Sequence, residues 1–372
     1  MDEPQLWQAC VDGNVAKVIK LLQIPQIDTN WIDSDHSTTP FCIACWIGYI
    51  EIVKLLLKDE RVDVNKENNN GWTPFYVACQ NGYINIVELL LTDERVNINK
   101  EANESGWTPF YNACRNGRTE VVKLLLNDKR VDINKPDKDG ATPFYIACIH
   151  QHIEIVKLLL SDKRIAINEA SNYGATPFYN ACDRKHIEIV KLLLNDERVD
   201  VNKADNADRT PFYIVCQEGH IEIVKLLLND TRVDINKVNN VDRTPFYVAC
   251  QKGRTEIVKL LLNDSEININ KKDDSGKTVL DWAREKEKKD IVELIESFQK
   301  RIQNKKVEEE NRKLEAERER KKVEEKRKLE EERKKKEERR KLEEEEERRR
   351  LEEKRKKEKP KSIFFFFKVH KN

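Results

Sequence analysis

The chain has no apolar run near the 18 or so residues that a membrane-spanning helix needs. Its opening, MDEPQLW, has neither an apolar core nor a basic flank, so no secretory leader is expected and the cytoplasm is the default location. Glycine is scarce, 11 in 372 residues, and no two glycines are spaced to cradle a phosphate. There is no His-Glu-x-x-His, and no nucleophile with a credible base and orienter. Enzymatic chemistry, cofactors and catalytic residues are therefore not expected. Net charge is nearly absent too, at +1. The balance is local: residues 301–372 carry thirty Lys or Arg against twenty-one Asp or Glu, leaving thirty-nine against forty-seven in residues 1–300. An acidic body with a mixed-charge tail lacks the dense basic stripe that specific nucleic-acid binding requires.

What the chain has in abundance is one sentence, repeated. TPFCIAC at Thr39 is followed by TPFYVAC at Thr73, TPFYNAC at Thr108, TPFYIAC at Thr142, TPFYNAC at Thr176, TPFYIVC at Thr210 and TPFYVAC at Thr244. The spacings are 34, 35, 34, 34, 34 and 34 residues. Degraded copies flank the series, QLWQAC near Gln5 and KTVLDWA near Thr278. A fixed period of this length marks a solenoid.

Each unit reads as two short helices. Thr73 caps the first and Pro74 takes its first turn, where the missing N–H costs nothing. Phe75, Ala78 and Cys79 face inward, and Gly82 closes the helix in a left-handed conformation. Ile84, Ile86, Val87, Leu89 and Leu90 build the second helix. Both are shorter than the roughly 12–15 residues an isolated helix needs, so each must bury its face against neighbouring repeats.

TPFYVA and its copies resemble the Thr-Pro-Leu-His-x-Ala signature of the ankyrin-repeat family. The resemblance covers about residues 4–297 and implies an all-α-dominated solenoid of helix-turn-helix units with intervening loops. The division expected is a capping repeat at 1–35, seven repeats at 36–270, a capping repeat at 271–298, a charged helix at 299–359 and a Phe-rich tail at 360–372. There are departures. Phe replaces Leu, and Tyr76, Tyr111, Tyr145, Tyr179, Tyr213 and Tyr247 replace the family's His, whose bond to loop backbone the tyrosine hydroxyl could imitate with altered geometry. The glycine that usually ends the second helix gives way to stretches such as NDERVDVN, so a local Asn or Asp cap is expected there. Gly is also missing between the helices at Gln151 and Lys185.

Eight of the nine cysteines occupy one framework position, one per repeat; only Cys42 stands apart. They read as small buried thiols, not metal ligands, since a metal site needs ligands that converge. His152, His186 and His220 likewise share one position and read as packing or surface imidazoles.

Recognition must lie where the repeats differ. The resemblance implies a concave face made of loop tips and the first helices. One residue before each Thr-Pro, taken as the tip, stand Thr38, Trp72, Trp107, Ala141, Ala175, Arg209 and Arg243. After the framework cysteine stand Trp46 and Arg115, among others. Trp and Arg dominate binding hot spots. Trp46, Trp72, Trp107 and Arg115 are therefore the candidate anchors for a protein or peptide partner, with Arg209 and Arg243 as candidates to pair with an acidic stretch of it. The competing expectation is that the tip tryptophans pack on each other.

From about Lys300 the composition becomes Glu, Lys and Arg without Gly or Pro up to Pro360, which predicts a helix laced with i,i+4 pairs. Ile302, Val307, Leu314, Val323, Leu329, Leu342 and Leu351 keep heptad register only from Val307 to Leu314, so a single helix is favoured over a coiled coil that would oligomerise the chain. Fifty-eight residues of it would reach about 87 Å, a semi-rigid spacer. The expected function is a non-enzymatic interaction scaffold; the alternative is a structural head with a helical rod.

Overall fold

The computed structural model describes residues 2–102, 104–264 and 266–358. The Phe-rich stretch and Pro360 lie outside the described residues. Among the described residues, nine first helices alternate with nine second helices. The first helices are α1 (Glu3–Val11), α3 (Pro40–Ile47), α5 (Pro74–Asn81), α7 (Pro109–Arg115), α9 (Pro143–Ile149), α11 (Pro177–Asp183), α13 (Pro211–Glu218), α15 (Pro245–Gln251) and α17 (Val279–Glu285). Their partners are α2 (Val15–Leu22), α4 (Ile50–Leu57), α6 (Ile84–Leu91), α8 (Thr119–Asn127), α10 (Ile153–Ser161), α12 (Ile187–Leu194), α14 (Ile221–Leu228), α16 (Thr255–Leu261) and α18 (Lys289–Lys357). First helices pack on first helices and second on second, giving the stack two layers with one core.

The sequence dictates the helix ends. In each of the seven full repeats the Thr hydroxyl accepts the backbone N–H three residues on, Thr73 from Tyr76 at 3.1 Å for example. The proline behind it occupies the first helical position. Between the two helices the chain turns through a left-handed residue, and Gln151 (φ 57°) and Lys185 (φ 61°) adopt it without being glycine. The core is a column of phenylalanines, Phe41, Phe75, Phe110, Phe144, Phe178, Phe212 and Phe246, each at most 1% exposed. All nine cysteines are buried and unpaired. Burial pushes the thiols of Cys10 and Cys42 up to about 12, so they act as small apolar groups.

Three polar columns tie successive repeats. The first answers how a second helix ends without glycine. Arg61, Arg95, Arg130, Arg164, Arg198 and Arg232 each grip the aspartate two residues earlier, at 2.6–2.7 Å. The same guanidinium then donates to a carbonyl at the end of the preceding repeat's second helix: Leu22, Leu57, Leu91, Leu126, Leu160 and Leu194 in turn. The local Asp bond expected from the sequence exists, but the orphan carbonyl is satisfied from the next repeat. In the second column, Asn30, Asn65, Asn99, Asn134, Asn168, Asn202 and Asn236 donate to a loop carbonyl one repeat on. Each also accepts a loop N–H there.

The third column lies at the start of the second helices. His152 Nε2 meets the carbonyl of Arg115 at 2.9 Å, His220 Nε2 that of Asp183 at 2.9 Å, and Arg118 and Arg254 reach Gln80 and Gln217. A Cβ on Gly117 would sit 2.8 Å from the His152 ring, so this turn needs glycine for closeness as well as for its φ of 70°. The repeating histidines are thus staples over the preceding repeat.

The stack comprises residues 1–295, and Glu296 onward forms a second unit. α18 contributes Ile291 and Ile295 to the stack's core and then runs unbroken to Lys357. Its exposed pairs include Glu309–Lys313, Glu317–Lys321, Glu324–Lys328, Glu337–Lys341 and Glu345–Arg349 at i,i+4 and Glu319–Lys322 at i,i+3, each with the acid N-terminal. Val307, Leu314, Val323, Leu329, Leu342 and Leu351 are all exposed, and at about 100° per residue they fall all round the helix with no continuous stripe. Among the described residues, no helix is long and apolar enough to cross a membrane.

Candidate interaction face

The loop between repeats returns to each Thr-Pro through a tight turn. In the second loop Asn68 N–H donates to the Trp72 carbonyl and Gly71 N–H to the Asn68 carbonyl, so the tip is Asn69–Asn70 and Trp72 lies on the returning limb. This corrects the expected geometry for the whole series. Thr38, Ala141 and Ala175 are buried, and Trp72, Trp107, Arg209 and Arg243 are half-buried. A residue just past the turn leans back onto the first helix, because the limb's backbone is already hydrogen-bonded to the loop. Tyr173, 73% exposed and just before Gly174, is the aromatic that sits at a true tip. Its place in Ser-Asn-Tyr-Gly was the signal, one residue ahead of the turn glycine.

The candidate anchors divide into two groups. Trp46 and Trp72 lie with ring centroids 5.5 Å apart, and Trp72 stacks on Tyr76 at 5.8 Å. Trp107 stacks on Tyr111 at 5.7 Å, and the Arg115 guanidinium lies 4.4 Å from the Trp107 centroid. All four anchors are half-buried, so each ring presents part of its surface and packs the rest. Stacking of this kind contributes about 0.5–1.5 kcal/mol beyond burial and pre-organises the rings.

The two C-terminal arginines are engaged within the stack. Arg209 grips Asp205 of its own loop at 2.6 Å, and that carboxylate also accepts from the Tyr179 hydroxyl at 3.0 Å. Arg243 lies 3.6 Å from Asp273 in the next loop and 5.1 Å from the Tyr247 centroid. Arg115, by contrast, has no carboxylate partner among the described residues, and its guanidinium lies over the Trp107 ring.

The tyrosines that replace the family's histidine form the floor of this face. Tyr111, Tyr179 and Tyr247 donate to Asp137, Asp205 and Asp273, each 26 residues on, at 2.7, 3.0 and 3.1 Å. Tyr213 accepts from Asn239 at 3.2 Å, and Tyr145 from Asn180 at 2.8 Å. The hydroxyl therefore meets side chains of the next loop or helix, not loop backbone. Burial and the Asp273 carboxylate push Tyr247 up to about 12, so the phenol stays a donor. Tyr76 is the exception. It is 1% exposed and its hydroxyl has no hydrogen-bond partner among the described residues. Among the described residues, no group of three His, Cys, Asp or Glu is placed to hold a metal ion.

Comparison with known families agrees with this geometry. A model described as ankyrin repeats (3 copies) matches residues 6–102, 94–170, 164–239 and 231–305. No curated protein matches the chain.

Proposed function

The chain belongs to the ankyrin-repeat family, and from that premise we propose that it is a non-enzymatic scaffold that recognises a protein or peptide through the N-terminal half of its first-helix face. The observation that carries this reading is the asymmetry of the face. Its N-terminal half has three partly exposed tryptophans and an arginine with no carboxylate partner; its C-terminal half has arginines already paired with Asp205 and Asp273. Half-buried aromatic groups held by stacking supply contact area at little entropic cost.

The test is affinity capture on the full-length chain beside the variant Trp46→Ala, Trp72→Ala, Trp107→Ala, with circular dichroism to establish that both fold. Partners retained by the native chain and lost by the variant support the face. Equal capture by both defeats it. One observation favours a second reading, the unbroken charged helix from Glu296 to Lys357, which suits a spacer. Capture that depends on residues 299–358 and not on the tryptophans supports that reading instead.

A further inference from the structure

The loops carry a column of polar side chains: Asp33, Asn68, Asp137, Ser171, Asp205, Asn239 and Asp273. Ala102 is the one apolar member, and it is buried. The column has two duties. In the loops at Asn68, Asp137, Asp205, Asn239 and Asp273 its oxygen accepts backbone N–H groups two and four residues ahead. It also meets the tyrosine hydroxyl 26 residues behind it, as for Tyr111, Tyr179, Tyr213 and Tyr247. At Ala102 the spacing from Tyr76 is still 26 residues, and the extra residue of this 35-residue repeat falls later in the loop, where the Ala102 N–H closes on the Trp107 carbonyl. Neither duty is performed. Among the described residues the Tyr76 hydroxyl has no partner, and the Trp107 N–H finds only Ser105 Oγ at 3.3 Å.

A buried donor without an acceptor is costly, and a carboxylate is the acceptor that three equivalent sites supply. The unmet hydroxyl belongs to a ring stacked on Trp72 and lies within the field of Arg115, which acts electrostatically on Tyr76. Resting on the face assigned above, we propose that the occupant is an extended peptide bearing an Asp or Glu, whose carboxylate takes the place of the missing loop acid. The carboxylate accepts from Tyr76 Oη and pairs with Arg115, while a neighbouring apolar side chain of the peptide lies against Trp72 and Trp107. The hydroxyl is closed to solvent in the free chain, so entry parts the half-buried side chains of the face and changes the surroundings of Trp72.

The test is selection of a random twelve-residue peptide display library on the full-length chain, followed by titration with the selected peptides, read by tryptophan fluorescence. The expected result is a shared Asp or Glu beside an aromatic or aliphatic residue. Affinity should fall about ten-fold or more in Tyr76→Phe and in Arg115→Gln, as for loss of a charge-assisted hydrogen bond. Ala102→Asp, which restores the acid in cis, should weaken the same peptides and raise thermal stability, so its effect cannot be ascribed to unfolding. Peptides lost on Trp72→Leu but indifferent to Arg115→Gln and Ala102→Asp overturn the acidic occupant and leave the face standing. Selected peptides without an acid overturn it as well. Failure to select any peptide, or selection of peptides indifferent to all these changes, overturns both readings.

Discussion

A single arginine illustrates how the stack is held. Arg130 binds Asp128 through Nε and Nη2 and turns Nη2 also to the Leu91 carbonyl at 2.8 Å. A planar fork can do both; an ammonium cannot hold the same geometry. Arg130→Ala should cost about 1 kcal/mol, since the pair is partly solvated, and Arg130→Lys should recover less than half of that, measured by urea denaturation. The aspartates give a pH signature. Hydrogen bonds from the arginines hold Asp59, Asp93, Asp128, Asp162, Asp196 and Asp230 below the ordinary carboxylate range. Because the folded values lie below the unfolded ones, this stabilisation is fully present above about pH 4 and is lost as pH falls through the folded values. Circular dichroism against pH should show an acid transition that flattens when several of these aspartates become asparagine. The Asp-x-Arg triplets were plain in the sequence, but their role was not, because the capped carbonyl lies 38–39 residues upstream. The Thr caps were legible for the opposite reason, with donor and acceptor three residues apart. Trp72 was misplaced because the turn closes at Gly71, two residues earlier than a tip at Trp72 would need, and so leaves it on the returning limb.

At the scale of the element, the short helices and α18 obey different physics. Each short helix exists because its neighbours bury it. Phe144, fully buried at the centre of the column, should cost about 3–5 kcal/mol when cut to alanine. From Glu296 to Lys357 α18 buries no residue and depends on propensity and on pairs worth about 0.2–0.5 kcal/mol each. Salt should therefore separate the two. Raising sodium chloride to about 1 M shortens screening to about 3 Å and should lower the helical signal of the full chain by more than that of a chain ending at residue 298. With its apolar residues scattered, α18 offers no seam to a second copy, so sedimentation velocity should find a monomer at micromolar concentration. The periodic sentence made the starts of the first helices legible; composition pointed to a charged helix from residue 299, but α18 already begins at Lys289, inside the stretch read as a capping repeat, because it is also the last repeat's second helix.

Across the whole stack, stability is a sum of units and interfaces, and the interfaces are not uniform. The arginine series runs from Arg61 to Arg232 and stops there, since Glu266 stands where the next arginine would be. The asparagine column ends at Asn236, which still reaches Glu266. Hydrogen exchange should accordingly find α14 to α17 opening before α7 to α12, and Glu266→Arg should slow exchange in α14. The direction of the arginine ties has a consequence for a chain made from its N-terminus. Every tie runs backward, so α4 leaves the ribosome 38 residues ahead of the Arg95 that finishes it. As far as Arg232 each unit is completed by its successor, and over that length a nascent stack grows with one unfinished helix end at its leading edge.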